Sequence, residues 1–489
     1  MTAVLALGCG DESSDTSPGP TGGQGGTGTG GAGQGGTGVG GTGAGAGGAG
    51  GSAAGGTGGT GGGGGSATAG DHLWSKGYGD SVSDWGAAVA TDSSGNIVMT
   101  GRFEGVVDFG GGDITSNAED IVLAKFDPAG NHLWSKGFGG SSFDEGYAVA
   151  IDGSDNVLLT GYFDDIADFG GGNLVASGGD IFLAKFDSSG NHLWSKDFGD
   201  ANLETGNGVA TDGSSNVILT GRFNGTVDFG GGDFVANSTS CFLAKYDSAG
   251  NHVWSNWFPS SVGNGVATDA AGNIVIAGSL SGSADFGGGT LVPVGSSDGF
   301  VAKFDSGGNH LWSKSFGATV HTEPKAVAVD GSGNVAITGR YEGTVDFGGG
   351  VLSGGFGDEI FLVEYDAAGN HRWSKRFGGV NDEQGNGVAT DSAGNVVVTG
   401  MFRDDVDFGG GTLDGRNLDI FVAKYDPAGN HLWSRDNTEW SGAGYGAGVA
   451  TDGSGNVVVT GLFGSTIDLG GPPLDSEGSN DIFLLKLTP

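Results

Sequence analysis

The chain has little of what would place it in several common protein classes. Its 489 residues include two cysteines, Cys9 and Cys241, too few for a disulfide framework. Basic residues number 20 against 57 acidic ones, a net charge of -37. The lysines recur at repeated positions such as Lys125 and Lys136 and form no cluster. That excludes the basic patch of a nucleic-acid binder and adsorption to anionic lipid. From Asp71 onward no stretch is long and apolar enough to span a bilayer, and no window has a helical period. HExxH, P-loop, nucleophile-elbow and zinc-finger spacings are absent.

Glycine is what the chain has in excess, 110 residues. Much of it lies in residues 19–70, a Gly/Thr/Ala tract that cannot bury enough apolar surface to offset its ordering entropy and reads as a flexible tether. About 50 such residues reach roughly 40 Å root-mean-square. Residues 1–18 read as a truncated leader. Met1-Thr-Ala-Val-Leu-Ala-Leu-Gly-Cys9 resembles a bacterial lipobox, which implies lipidation at Cys9. It departs from that pattern in having no Lys or Arg before a short apolar run. A lipid there would be the chain's one link to a membrane.

Residues 71–489 repeat one unit. Trp74, Trp134, Trp194, Trp254, Trp312, Trp373 and Trp433 fall at intervals of 60, 60, 60, 58, 61 and 60, the mark of a repeat architecture. Within one unit, Gly146–Ile151 is a strand of small and β-branched residues, and Asp152-Gly-Ser-Asp-Asn156 is a turn. Val157–Phe163 and Asp180–Phe186 are further strands. Asp187–Asn191 is a second turn, and His192–Lys196 is the last strand. Four antiparallel strands per unit make one propeller blade. The chain enters on a lone fourth strand, His72–Lys76, and ends on a third, Asp481–Lys486. The expected fold is therefore an all-β, seven-bladed, monomeric β-propeller, closed by the N-terminal strand completing the last blade and so removing a free edge. Cys241 stands where other units have Ile121, Ile181, Ile360 and Ile420, as a small buried hydrophobe would.

These motifs resemble a known family. Asp120-Ile-Val-Leu-Ala-Lys-Phe-Asp-Pro-Ala-Gly-Asn-His-Leu-Trp-Ser135, with Val149-Ala-Ile-Asp and Asn156-Val-Leu-Leu-Thr-Gly161, is similar to the SBBP-type β-propeller repeat. The resemblance covers residues 71–489. It implies an exported or surface protein and carries over no catalytic residue.

Seven of eight histidines occupy one repeat position, and only His321 is extra. A residue repeated around a ring is structural, whereas a catalytic base has a unique place. His321 falls in a connecting segment with no cysteine partner. Calcium is the cofactor that the acidic turns raise, as at Asp92–Asn96 and Asp391–Asn395, and also the Asp-Phe-Gly-Gly-Gly segments. Each turn offers one carboxylate, however, and local backbone bonding accounts for it. No other cofactor is indicated.

Candidate binding residues come from the connections, since function concentrates on loops held by a rigid scaffold. Eight residues before the turn aspartate stand Asp84, Asp144, Glu204 and Glu383 in four units, an expected partial ring of carboxylates at the channel mouth. Trp85, Trp257 and Trp440 are the tryptophans outside the repeat position. Stacking aromatics beside acids suit a glycan, protein or peptide ligand; the alternative is that these rings pack loops over the blades. The reading is of a non-enzymatic binding module on an exported surface lipoprotein, held at an outer membrane or cell surface or released outside the cell. Two alternatives stand beside it: a polysaccharide lyase or hydrolase acting at the channel mouth, and a purely structural or adhesive element.

Overall fold

The computed structural model describes residues 68–489 apart from 417 and 437–441. The leader, Cys9, all but the last three residues of the tether, and Trp440 lie outside the described residues. What is described is all β: seven four-stranded antiparallel sheets with seven small hairpins appended. In the first blade the strands run Trp85–Thr91, Ile97–Phe103, Asp120–Phe126 and His132–Phe138, from the axis outward. The inner strands of successive blades pack side by side around a closed ring. The last blade joins Ala443–Thr451, Val457–Gly464 and Asp481–Leu487 to His72–Tyr78, with His72 opposite Leu487 and Tyr78 opposite Ile482. The expected closure is therefore the observed one.

The turns form for local reasons. In Asp127–Asn131 the Asp127 amide donates to the Asn131 carbonyl, and the Gly130 amide donates back to Asp127. Asp127 Oδ1 accepts from the Ala129 and Asn131 amides, and Oδ2 accepts from Asn131 Nδ2. Gly130 has φ +79°, a left-handed position open to glycine at no steric cost. A side chain there would also press on the indole of Trp74 from the preceding blade, its Cβ 3.1 Å from the ring.

That approach belongs to a latch between blades. Lys125 is buried and pairs with Asp92 of its own blade at 2.8 Å, and its ammonium also donates to the Ser188 carbonyl in the next blade. The Trp134 indole donates to the same carbonyl at 3.2 Å. The lysine–aspartate pair recurs as Lys185–Asp152, Lys245–Asp212, Lys303–Asp269, Lys424–Asp391 and Lys486–Asp452. The fifth blade departs from the pattern. Glu364 takes the lysine position, and Arg372, where other blades have Leu or Val, brings a guanidinium to it at 3.3 Å. Arg372 also donates to the Pro427 carbonyl of the next blade. A cation from the fourth strand thus replaces one from the third.

The repeat histidine closes the blade's outer side. His132 Nε2 meets Ser135 Oγ at 3.1 Å, and the ring stands edge-on to Phe126. The Asp108-Phe-Gly-Gly-Gly112 hairpin folds over it: Asp108 Oδ1 accepts from Gly110 and Gly112, and Phe109 is buried between blades. A methyl group at position 111 would collide with the imidazole. Cys241 is fully buried as expected, and burial pushes its thiol up to about 12.

Two predictions follow from this packing. Arg372→Leu removes the cation beside Glu364, whose carboxyl burial already pushes up to about 7, and should cost about 1–2 kcal/mol above pH 7 and less below it, where the carboxyl holds a proton; adding Glu364→Lys should recover most of it. Urea unfolding of the two single variants and the double variant gives the coupling, and additivity of the two changes would refute the compensation. Gly111→Ala should cost about 1–2 kcal/mol through overpacking, whereas Gly331→Ala, with no neighbour within 4 Å of its Cβ, should be neutral or stabilising.

Candidate binding site at the channel mouth

Because strands alternate in direction, the Asp-x-x-Gly-Asn turns share one face and the remaining connections share the other. That second face holds the ends of the inner strands, and it is where the sequence stops repeating.

The acids expected there are present, but they are not a ligand surface. Asp84, Asp144, Glu204 and Glu383 are fully buried. They brace their connecting loops by accepting backbone amides: Asp84 from Asp80 and Glu104, Asp144 from Gly140 and Asp164, Glu204 from Asp200, and Glu383 from Gly379. Each lies beside the acid that opens the third strand. One point, where a side chain on Gly139 would begin, lies 2.5 Å from Asp120 Oδ1 and 2.6 Å from Asp144 Oδ2. A sequence pattern that placed carboxylates near the mouth could not show that loop amides enclose them.

The tryptophans divide. Trp257 lies in the fourth strand of the third blade, packed edge-on to Phe223 at 6.0 Å and against Phe234. It fills the blade flank, the alternative weighed for it. Trp85 does stand at the mouth: it opens the first inner strand and meets Tyr445 of the last blade at 6.3 Å, the rings nearly perpendicular.

The calcium reading meets the same geometry as the acids do. In the turns, Asp92 Oδ1 accepts from Ser94 and Asn96, and Oδ2 accepts from Asn96 and Lys125. The carboxylate oxygens are already engaged by the chain itself.

The residues that differ from blade to blade sit one place further on. Trp85, Glu145, Thr205, Val262, Glu323, Gln384 and Tyr445 occupy one register position, each opposite a second-strand residue: Arg102, Tyr162, Arg222, Ser279, Arg340, Met401 and Leu462. A β-bulge two residues later in every blade holds Ala87, Tyr147, Asn207, Asn264, Lys325, Asn386 or Ala447. Asn207, Asn264 and Asn386 there donate to carbonyls of the neighbouring inner strand. Bulges re-aim side chains next to functional sites. The sequence signal was available: this position varies from blade to blade, whereas the turns and the tryptophan strand beside it repeat.

Two charged groups face this mouth. On one side Arg102 lies 5.4 Å from the Trp85 ring and 5.3 Å from Phe143, with Glu145 at 3.6 Å and Glu119 at 3.9 Å. Burial pushes Glu145 up to about 7 against the pull of Arg102. On the other side Arg340 bridges Glu323 at 2.7 Å and Asp358 at 2.8 Å, and Lys325 takes the second Glu323 oxygen at 2.7 Å. Burial alone would raise Glu323, but Lys325 and Arg340 hold it down to about 2. His321, expected in a loop, instead opens the fifth inner strand, within 2.8 Å of Asp358. Connections of the fourth to sixth blades expose large apolar side chains, notably Phe356 (87%), Val294 (85%) and Val380 (68%).

Desolvation has a pH consequence. Burial pushes Asp84, Asp144, Glu204 and Glu383 up to about 7, and Asp120, Asp180 and Asp481 up to about 6. A raised carboxyl holds its proton longer in the folded state, so its contribution is complete below the unfolded value near 4 and is lost as pH rises through 6–7. The melting temperature should therefore fall between pH 5 and pH 8, and Asp144→Asn should flatten that slope. A midpoint that is constant or rising over the interval would contradict the assignment.

No family profile matches the chain. It is similar to an uncharacterized WD repeat-containing protein of Acanthamoeba polyphaga mimivirus, 26% identical across 80% of this chain and 36% of that protein. It is also similar to the regulatory protein FlaEY of Caulobacter vibrioides, 29% identical across 28% of this chain and 15% of that protein. The chain thus spans about a third or less of either relative's length. Among solved structures it is similar to the Dos1 propeller, with TM-score 0.41 and 11% identity over 86% of this chain and 95% of that one. A gluconolactonase of Xanthomonas campestris gives TM-score 0.35 and 12% identity over 76% of this chain and 90% of that one.

Proposed function

We propose that this propeller is a non-enzymatic interaction module that binds a protein or peptide segment across its variable face. The observation that carries this reading is the concentration of blade-specific residues at the mouth, together with exposed apolar side chains on connections of the same face. Large apolar side chains standing in water on connecting loops mark interaction surfaces. Aromatic residues and arginines such as Trp85, Tyr445, Arg102 and Arg340 are the types that anchor interfaces. Similarity to a WD repeat-containing protein fits an interaction module in general terms. The absorption of seven histidines into the repeat favours binding over catalysis. A glycan ligand is the second reading, favoured by the perpendicular Trp85–Tyr445 pair beside buried acids, where a sugar ring could stack and donate hydrogen bonds.

We further propose that the module is exported and tethered through lipid at Cys9 and the Gly/Thr tract. Mass spectrometry of the mature N-terminus tests that part separately.

For the binding reading, full-length protein is screened against peptide and glycan arrays, and hits are measured by calorimetry. A peptide ligand should lose at least about tenfold in affinity, about 1.4 kcal/mol, with Phe356→Ser plus Val380→Ser. A glycan hit insensitive to that pair but lost in Trp85→Ala would move the assignment to the second reading. Turnover of an array substrate would overturn the non-enzymatic reading.

A further inference from the structure

The one histidine outside the repeat stands in a cluster with no counterpart in the other blades. His321, Glu342 and Asp358 each offer one ligand atom, and these atoms all lie within 4.8 Å of one another. They come from three neighbouring segments of the fifth blade. His321 pairs in register with Glu342, and Asp358 immediately precedes the strand residue opposite Tyr341. At the histidine position the other blades carry Ser83, Phe143, Leu203, Ser260, Asp382 and Ala443.

We propose that His321, Glu342 and Asp358 bind one divalent metal ion of the zinc class. One imidazole nitrogen with two carboxylate oxygens is a donor set for borderline divalent ions such as Zn²⁺ or Co²⁺, whereas calcium takes oxygen alone. Ligand atoms around such an ion stand roughly 3–3.5 Å apart; here one nitrogen of His321 and one oxygen from each carboxylate lie within 4.8 Å of one another, a span that a small shift of the exposed Glu342 side chain closes, and the tightest pair is His321 Nε2 with Asp358 Oδ1 at 2.8 Å. The Asp358 side chain is 9% exposed. Its Oδ1 and the facing His321 Nε2 are both buried without a hydrogen bond of good geometry. Without an ion the two atoms share a proton, which a bound metal displaces.

The surroundings support the site electrostatically. Arg340 binds the other Asp358 oxygen at 2.8 Å and fixes the carboxylate's orientation, as outer partners of metal ligands do. Glu323 engages both Arg340 and Lys325. With His321 neutral, the form that ligates a metal, the three carboxylates outnumber the two cations, Arg340 and Lys325. Glu342 is the most exposed of the three, which leaves the metal open to water or to a donor atom from a ligand.

This inference does not depend on the binding reading, because the metal is tested alone. The chelator-treated full chain is titrated with Co²⁺, followed by visible absorption and calorimetry, and then with Zn²⁺ in competition. The expected result is one equivalent bound and displaced by Zn²⁺, with affinity lowered at least about thirtyfold in His321→Ala and in Glu342→Gln. His132→Asn, at a repeat histidine, should leave it unchanged. Glu342→Gln lies at the exposed end of a strand and should fold normally, which unfolding midpoints verify. No stoichiometric Co²⁺ binding, or binding unaltered by His321→Ala and Glu342→Gln, would overturn the site and leave an ion-pair network.

Discussion

Everything in this propeller rests on one buried contact made between adjacent blades. In five blades a lysine from the third strand neutralises an aspartate in its own blade's first turn and donates to a carbonyl in the next blade's second turn, as Lys125 does with Asp92 and Ser188. In the same five blades the repeat tryptophan's indole N–H donates to that carbonyl. Burying an ammonium is costly unless it is paired and hydrogen-bonded, so the contact is unforgiving of register. A blade rotated or slipped by one residue would strand the charge. The apolar clusters spanning neighbouring blades supply cohesion, while the latch fixes how the blades sit against each other. The fifth blade shows the constraint at work. Where the lysine became Glu364, Arg372 arrived on the adjacent strand to restore a cation.

The latch and the turns occupy one face, which leaves the other free to diverge. On the turn face, Asp, Gly and Asn are held by backbone hydrogen bonding and positive φ, and each blade repeats the solution. On the mouth face the inner strands end in bulges, and the side chains there answer only to their immediate neighbours. Hence seven different environments surround one channel, among them the Arg102–Glu145 pair and the His321–Asp358–Arg340–Glu323 group.

The blade count, the strand order and the closing strand were legible because each has a periodic signature in the sequence. The acidic positions were legible too, but their role was not. Asp84 and Asp144 immediately precede the inner strands, yet whether a carboxylate faces a ligand or accepts loop amides depends on which backbone folds over it. Trp85 opens an inner strand at the mouth, whereas Trp257 lies on the outermost strand of its blade and packs on Phe223 and Phe234. His321 looked like a loop residue because the fifth inner strand begins earlier than most others, and strand ends are set by pairing with Glu342 rather than by local preference.

By itself, the sequence determined the architecture: period, turn chemistry and complementary orphan strands admit one closed ring. Tertiary structure alone decided which polar groups are buried and which remain available. That follows from the physics of burial, since a carboxylate's availability depends on which loop amides fold over it, as those of Gly140 and Asp164 do over Asp144. The repeat specifies where side chains emerge, and the packing of one blade on the next specifies what they can touch.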